Sequence, residues 1–205
     1  MKIDPQNLAK RERHLFMGNL VVPRPIALVS TISGRGIFNL APFSLFNIVC
    51  YHPAMVFFTP MRREGGSKKD TLVNIEQAWE FVINLVTEDI TKQMNIASGD
   101  YPPEVDEFKI SGLTPVPSDL VKPPRVAESP FNMECRLTQI LEFGKSDVTA
   151  EMILGEVLRV HVRDDLYREG AIDAALAHII GRMGWGLYTR TRDLFEIQHM
   201  QNIPS

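Results

Sequence analysis

The apolar residues of this 205-residue chain recur with two different periods. Five runs have strand lengths and are rich in β-branched, aromatic and aliphatic side chains: 25–32 (PIALVSTI), 53–59 (PAMVFFT), 80–86 (EFVINLV), 133–143 (MECRLTQILEF) and 150–162 (AEMILGEVLRVHV). They predict the β-structure of the fold. From Asp70 the spacing changes, and Leu72, Ile75, Ala78 and Trp79 fall at i, i+3, i+6 and i+7, the pattern of one helix face. Residues 88–98 and 171–180 carry similar spacing and predict two further short helices. Strands and helices do not alternate strictly, so a Rossmann-type parallel sheet is excluded and the chain reads as a β-rich α+β fold.

Polar residues interrupt the apolar runs at particular places. The stretch 39–46 reads NLAPFSLF, with Asn39, Pro42 and Ser44 set into it. A proline cannot donate to a β-ladder, so this run belongs at an edge, a bulge or an opening of the sheet. A strand edge with free N–H groups and a short amide or hydroxyl suits the pyrimidine edge of a flavin. A bulge at a barrel corner, its polar side chains satisfying local backbone, fits the same residues. Ser30, Thr31 and Thr59 are embedded in strands in the same way, and SKKDT follows at 67–71. Ser67 with Asp70 fits a capping box and predicts a helix start here. The N–H groups of that helix end, with Lys68 or Lys69 beside them, describe a seat for a phosphate. Two ordinary surface lysines beside a solvated cap are the other reading of the same residues.

Composition narrows the classes. With 44% hydrophobic and 23% charged residues the chain can bury a large core, and its length suits one domain over residues 1–205. The net charge is −3, with Lys and Arg scattered rather than striped, so nucleic-acid binding has no electrostatic footprint. Seven of the 14 prolines lie between Pro102 and Pro130. That concentration predicts an extended connection, about residues 99–130, wrapping the surface. Within it, DYPPEVDEF (100–108) reads as a solvated loop over a partner subunit rather than as paired catalytic carboxylates. Cys50 and Cys135 form no CxxC pair, and the charged N-terminus lacks the apolar core of a signal peptide. The expectation is a reducing, cytoplasmic location with no membrane helix.

Rossmann, P-loop, zincin and α/β-hydrolase signatures are absent: GRG at 34–36 and GRMGWG at 181–186 do not complete GxGxxG, and no GxxxxGK[ST], HExxH or GxSxG occurs. The histidines at 14, 52, 161, 178 and 199 are too dispersed for a local metal site, and none is expected unless distant ligands converge. His178 is read as a core or interface histidine, with an approach to a ligand as the other possibility. Cys50 is read as a buried strand thiol, because a reactive thiolate needs a positive neighbour.

Taken in order, several segments resemble the flavin reductase-like, FMN-binding split-barrel family. They are RPIALVST (24–31), Gly36 leading into NLAPFSLF, HPAMVFF, KDTLVNI (69–75), EFVINLV, VDEFKISGL (105–113), PPRVAESPFNMEC (123–135) and GRMGWGLYTRTRDLFEI (181–197). The similarity covers about residues 14–200. It implies a Greek-key split β-barrel with peripheral helices, a homodimer, and FMN bound near the dimer interface. By position it places Ser30, Thr31, Asn39, Ala41 and Ser44 along the flavin and Lys69 and Thr71 at its phosphate, with Arg24, Thr59 and Asn74 contacting or supporting it. No residue acquires a catalytic role. The family's Arg-Leu-Gly-Gly type sequence is replaced by Arg182, Met183, Gly184, Trp185 and Gly186, followed by Tyr188, so Trp185 adds bulk where a flat substrate would stack. The activity implied is hydride transfer from NADH or NADPH to flavin, with reduced FMN supplied to a monooxygenase or electrons relayed to an electron-transfer partner. A flavin-binding carrier or sensor without nicotinamide turnover is the alternative.

Overall fold

The computed structural model describes residues 1–144, 148–173 and 175–197. Ala174, His199 and the last residues of the expected span, 198–200, lie outside the described residues. Seven strands form the main sheet: β1 (Ala27–Ile32), β2 (Phe38–Phe43), β3 (Phe46–Tyr51), β4 (Ala54–Phe58), β5 (Glu80–Leu85), β8 (Phe131–Gly144) and β9 (Val148–Val162). All neighbours pair antiparallel, in the order β2-β1-β5-β8-β9-β4-β3. Each of the five apolar runs therefore supplies one strand. Among the described residues three two-stranded ladders complete the β-structure: β6 (Pro115–Val116) with β7 (Arg125–Val126), β10 (Tyr167–Arg168) with β11 (Ala171–Ile172), and β12 (Ile180–Gly184) with β13 (Leu187–Arg190).

The order itself shows that the sheet curls. β2 and β3 lie at opposite edges, yet only Ser44 and Leu45 separate them. Three Cα–Cα steps reach at most about 11 Å. Six strand spacings would part the edges of a flat sheet by about 29 Å. The edges must come round to meet, while β2 and β3 share no ladder, so the barrel stays split along that seam. On the β3 side, Thr59 N–H donates to the Leu45 carbonyl at 2.9 Å, which extends the β3–β4 ladder by one rung.

Both faces of β1 are buried, which explains its nearly continuous apolar sequence. Ala27 and Val29 join the cluster of Phe58, Phe81, Leu137 and Ile153, whereas Leu28 packs with Leu40, Met94, Phe108 and Val126. Helices α1 (Lys10–Leu20), α2 (Asp70–Ala78), α3 (Thr91–Ala97) and α4 (Glu107–Ser111) lie around the sheet. The expected helices at Asp70 and at 88–98 form, the latter as a 3-10 turn, Glu88–Ile90, leading into α3. α2 buries Leu72 and Ile75, but Trp79 leaves the helix in a left-handed conformation (φ 63°) and is 57% exposed.

Three expectations are corrected. Residues 171–180 form no helix among the described residues: β11 occupies Ala171–Ile172, a turn follows, and β12 starts at Ile180, so their apolar spacing served two strands and a turn. Ser67 caps nothing. Lys69 holds the N-cap position of α2 and contributes no side-chain cap bond. The proline-rich connection is not merely extended, because it contains α4, β6 and β7 and buries Phe108, Leu113, Val121 and Val126. The 11 residues of α1 went unread, since none of them is buried and no apolar face marks it.

Candidate functional site

α2 is fastened to the barrel by two polar bonds from one helix face. Thr71 and Asn74, three residues apart, point at the sheet. The Asn39 amide donates to Thr71 Oγ1 at 3.0 Å, and the Asn74 amide donates to Thr31 Oγ1 at 3.0 Å. Asn39 and Thr31 are directly opposed in the β1–β2 register. All four side chains are buried, so the bonds satisfy groups that would otherwise be costly to enclose.

The N-terminus of α2 is surrounded by charge. Arg63 donates to Asp100 Oδ1 at 2.6 Å, to Asp70 Oδ2 at 2.7 Å and to the Lys68 carbonyl at 2.7 Å. The Lys69 ammonium reaches the same Asp100 oxygen at 3.2 Å. Arg62 is turned away to buried Glu151, and Lys68 pairs with Glu76. Arg63 and Lys69 are thus the two cations that face the helix end together.

A small cavity of about 60 Å³ lies here, lined by Asn39, Ala41, Lys69 and Thr71 among the expected residues and by Arg63 and Gly99 among the others. Next to it is a larger cavity of about 470 Å³, bounded by Asn39, Asn74, Ser33, Arg35, Val73 and Gln77. Asn39, Asp70 and Glu107 line both. The smaller cavity thus gathers the Arg63 and Lys69 cations with the Asp70 and Glu107 carboxyls, and the larger is a longer space walled by amides and aliphatic carbons with Arg35, Asp70 and Glu107 among them. Burial pushes the Glu107 carboxyl above the ordinary carboxylate range, opposed by the bond it accepts from Leu40 N–H at 3.1 Å. Glu107 thus holds a proton more readily than a surface glutamate. DYPPEVDEF is not wholly a solvated loop: Glu107 is 6% exposed, and Asp106 caps α4.

The edge of β2 differs from its sequence reading. Alternate residues of a strand turn their backbone groups to opposite sides. Leu40 N–H meets Glu107 on the free side, so Pro42, two residues on, faces the same way. The proline sits where no ladder bond is lost, and the strand offers no spare N–H at either position.

The remaining expected residues lie elsewhere. Ser30 is fully buried and bonded to the Pro124 carbonyl. Ser44 accepts from Arg24 Nε at 3.4 Å, and Arg24 also holds the Val21 and Gly18 carbonyls, with burial and nearby Arg182 lowering its pKa. Thr59 is buried at the end of the β3–β4 ladder. The Arg182 guanidinium lies 4.6 Å from the centroid of the Tyr188 ring. Trp185 is 57% exposed, and His178 lines neither cavity. Burial raises the Cys135 thiol pKa, which makes it inert. Asp119, Glu134 and His161 come close enough to suggest a metal, but Glu134 already accepts three backbone N–H bonds and one from His161, while Asp119 pairs with Arg159. Arg63 stands beside Lys68 and Arg62 as a further candidate for the phosphate, whereas for Asp100 and Glu107 the acidic spacing of 100–108 is the one sequence signal.

A family profile described as a flavin reductase like domain matches residues 17–186. The chain belongs to the flavin reductase-like family. An uncharacterized protein of Halalkalibacterium halodurans is 33% identical over 199 residues, which is 96% of this chain and 95% of the relative. Component B of nitrilotriacetate monooxygenase from Bacillus cereus superposes with a TM-score of 0.93 at 29% identity, covering 96% of this chain and 98% of the other. The 2-nitrobenzoate 2-nitroreductase of Pseudomonas fluorescens gives 0.89 at 29% identity, covering 100% and 99%. The fold is the split barrel of flavin reductases and flavoredoxins. Among the described residues no helix is long and apolar enough to cross a membrane.

If Asn39 serves a ligand as well as α2, Asn39→Ala should weaken FMN binding about two- to tenfold, the loss of one neutral hydrogen bond. Fluorescence titration measures it. Unchanged affinity with a lowered Tm would mean that Asn39 only docks the helix.

Proposed function

We propose that this flavin reductase-like protein binds FMN, takes hydride onto it from NADH or NADPH, and supplies reduced FMN to a partner monooxygenase or electrons to an electron-transfer partner. The carrying observation is the pairing of Arg63 and Lys69 at the end of α2 with a larger cavity that shares the Asn39 wall. A phosphate matches the cations, and a ribityl chain and ring match the amide-lined space beyond. The residues present therefore fit FMN. Bound there, FMN would supply a reversible hydride acceptor. The chain's part is to bind and orient: Lys69, Arg63 and Thr71 at the phosphate, Asn39, Ala41 and Asn74 along the molecule, and Thr31 behind them as support. Glu107, which accepts from Leu40 N–H, forms part of the wall that the two cavities share. Ser30, Ser44, Arg24 and Thr59 act through the barrel wall and seam that they hold.

The likeness to a monooxygenase component supports the oxygenase partner. We further read the protein as one domain and a homodimer. β3 is an edge strand with Ile48, Val49 and Tyr51 exposed, and Leu45 beside it is exposed too. A second copy would cover that apolar edge. Steady-state oxidation of NADH and NADPH with added FMN tests the activity. Saturable turnover is expected; tight FMN binding with no nicotinamide oxidation would instead make the protein a carrier or a sensor.

A further inference from the structure

The two cations of the small cavity are already satisfied by the protein itself. Asp100 Oδ1 lies between Arg63 Nε (2.6 Å) and Lys69 Nζ (3.2 Å), and these two bonds hold the Asp100 carboxyl below the ordinary range. Asp100 is not itself enclosed. Its side chain is 62% exposed, and it rides on the connection that leaves α3 at Ser98. Gly99 and Tyr101, its neighbours, line the same cavity. Tyr101 folds back so closely that a Cβ on Gly99 would meet its ring at 2.6 Å, and its hydroxyl donates to the Ile96 carbonyl at 3.0 Å. The turn thus carries Asp100 across the mouth from the α3 side to the α2 side.

Arg63 keeps its orientation without Asp100, because Asp70 and the Lys68 carbonyl hold two other guanidinium nitrogens. One position on Arg63 and the ammonium of Lys69 are then the share that Asp100 occupies. A phosphate monoester carries more charge and more acceptor oxygens than a carboxylate, and it would take the same two donors.

We propose that Asp100 is a resident competitor for the ligand's phosphate: its carboxylate bridges Arg63 and Lys69, and binding of the phosphate requires that bridge to open. This rests on the FMN reading of the site and adds a determinant of how tightly the phosphate-bearing ligand is held. A protein that supplies reduced FMN to a partner must also let it go, and Asp100 favours release by re-occupying both cations as the phosphate leaves.

The test compares the whole protein with Asp100→Asn, using FMN, riboflavin and inorganic phosphate as probes in calorimetric titration. Asp100→Asn is expected to tighten FMN and inorganic phosphate by about two- to fivefold, the scale of exposed ion pairs that no longer need breaking, and to leave riboflavin unchanged. The FMN dissociation rate in stopped flow should fall in the same proportion. Unchanged or weaker binding of both phosphate-bearing probes overturns the proposal, because Asp100 would then be neutral or would organise the site. Tightening of riboflavin to the same extent overturns it too, by placing the effect at the ring. If wild type and variant both ignore FMN and riboflavin while phosphate binds tighter to the variant, the competitor stands and the flavin reading falls.

Discussion

Lys69→Ala is expected to weaken FMN binding about tenfold while leaving riboflavin binding nearly unchanged. A charge-assisted hydrogen bond contributes about 1.5–3 kcal/mol. The lower end applies because the Lys69 side chain is 31% exposed and Arg63 shares the seat. Riboflavin has the same ring and ribityl chain without the phosphate, so the preference for FMN should collapse in the variant. Salt should weaken FMN binding more in wild type than in Lys69→Ala. Thr71→Val should act more weakly, since it removes a neutral hydroxyl. Equal loss for both ligands would show that Lys69 organises the ring site or the fold, and the placement of the phosphate would be wrong.

The largest expected effect on stability lies away from the cavities. Glu134 is fully buried on β8 and accepts from the N–H groups of Asp119, Leu120 and Val121 and from His161 Nε2. One carboxylate thereby fastens the proline-rich connection to the barrel. Glu134→Ala leaves several donors without an acceptor, and breaking such a buried constellation from one side costs about 3–5 kcal/mol. In a domain of this size that corresponds to a fall in Tm of roughly 6–20 °C. Burial opposes the charge of Glu134, but the bonds from Asp119 N–H, His161 and Leu120 N–H outweigh it and hold the carboxyl below the ordinary range. A carboxyl with a depressed folded pKa stabilises above its unfolded value, about 4.3, and loses that contribution as pH falls through the folded value. The gap in stability between wild type and Glu134→Gln should therefore narrow below about pH 4. A Tm for Glu134→Ala within a degree or two of wild type would show that the connection is held by other means.

What the sequence disclosed follows from how local each signal was. The strands around Val29, Phe58, Phe81 and Ile153 were legible because both their composition and their length are strand-like. Pro42 announced an edge, and the edge is where it lies. The sequence could not say that Leu40 N–H is taken by Glu107, since that bond joins residues 67 positions apart. For the same reason Asp100 looked like one acid of a solvated stretch, although it meets Arg63 and Lys69 across the fold. The apolar spacing of 171–180 misled because its residues are divided between β11, a turn and β12, with Leu176 exposed on the turn and Ile180 buried in the strand. Position alone brought Asn39, Ala41, Lys69, Thr71 and Asn74 to two adjoining cavities. It did not separate them from Ser30, Arg24 and Ser44, which line neither cavity.

Gel filtration of the protein after incubation with FMN, recording mass by light scattering and the visible absorbance of flavin together, tests the proposal that the chain holds FMN at the end of α2. The predicted result is a dimeric mass with flavin absorbance under the same peak. Colourless protein, with all the flavin eluting as the free compound, would contradict it.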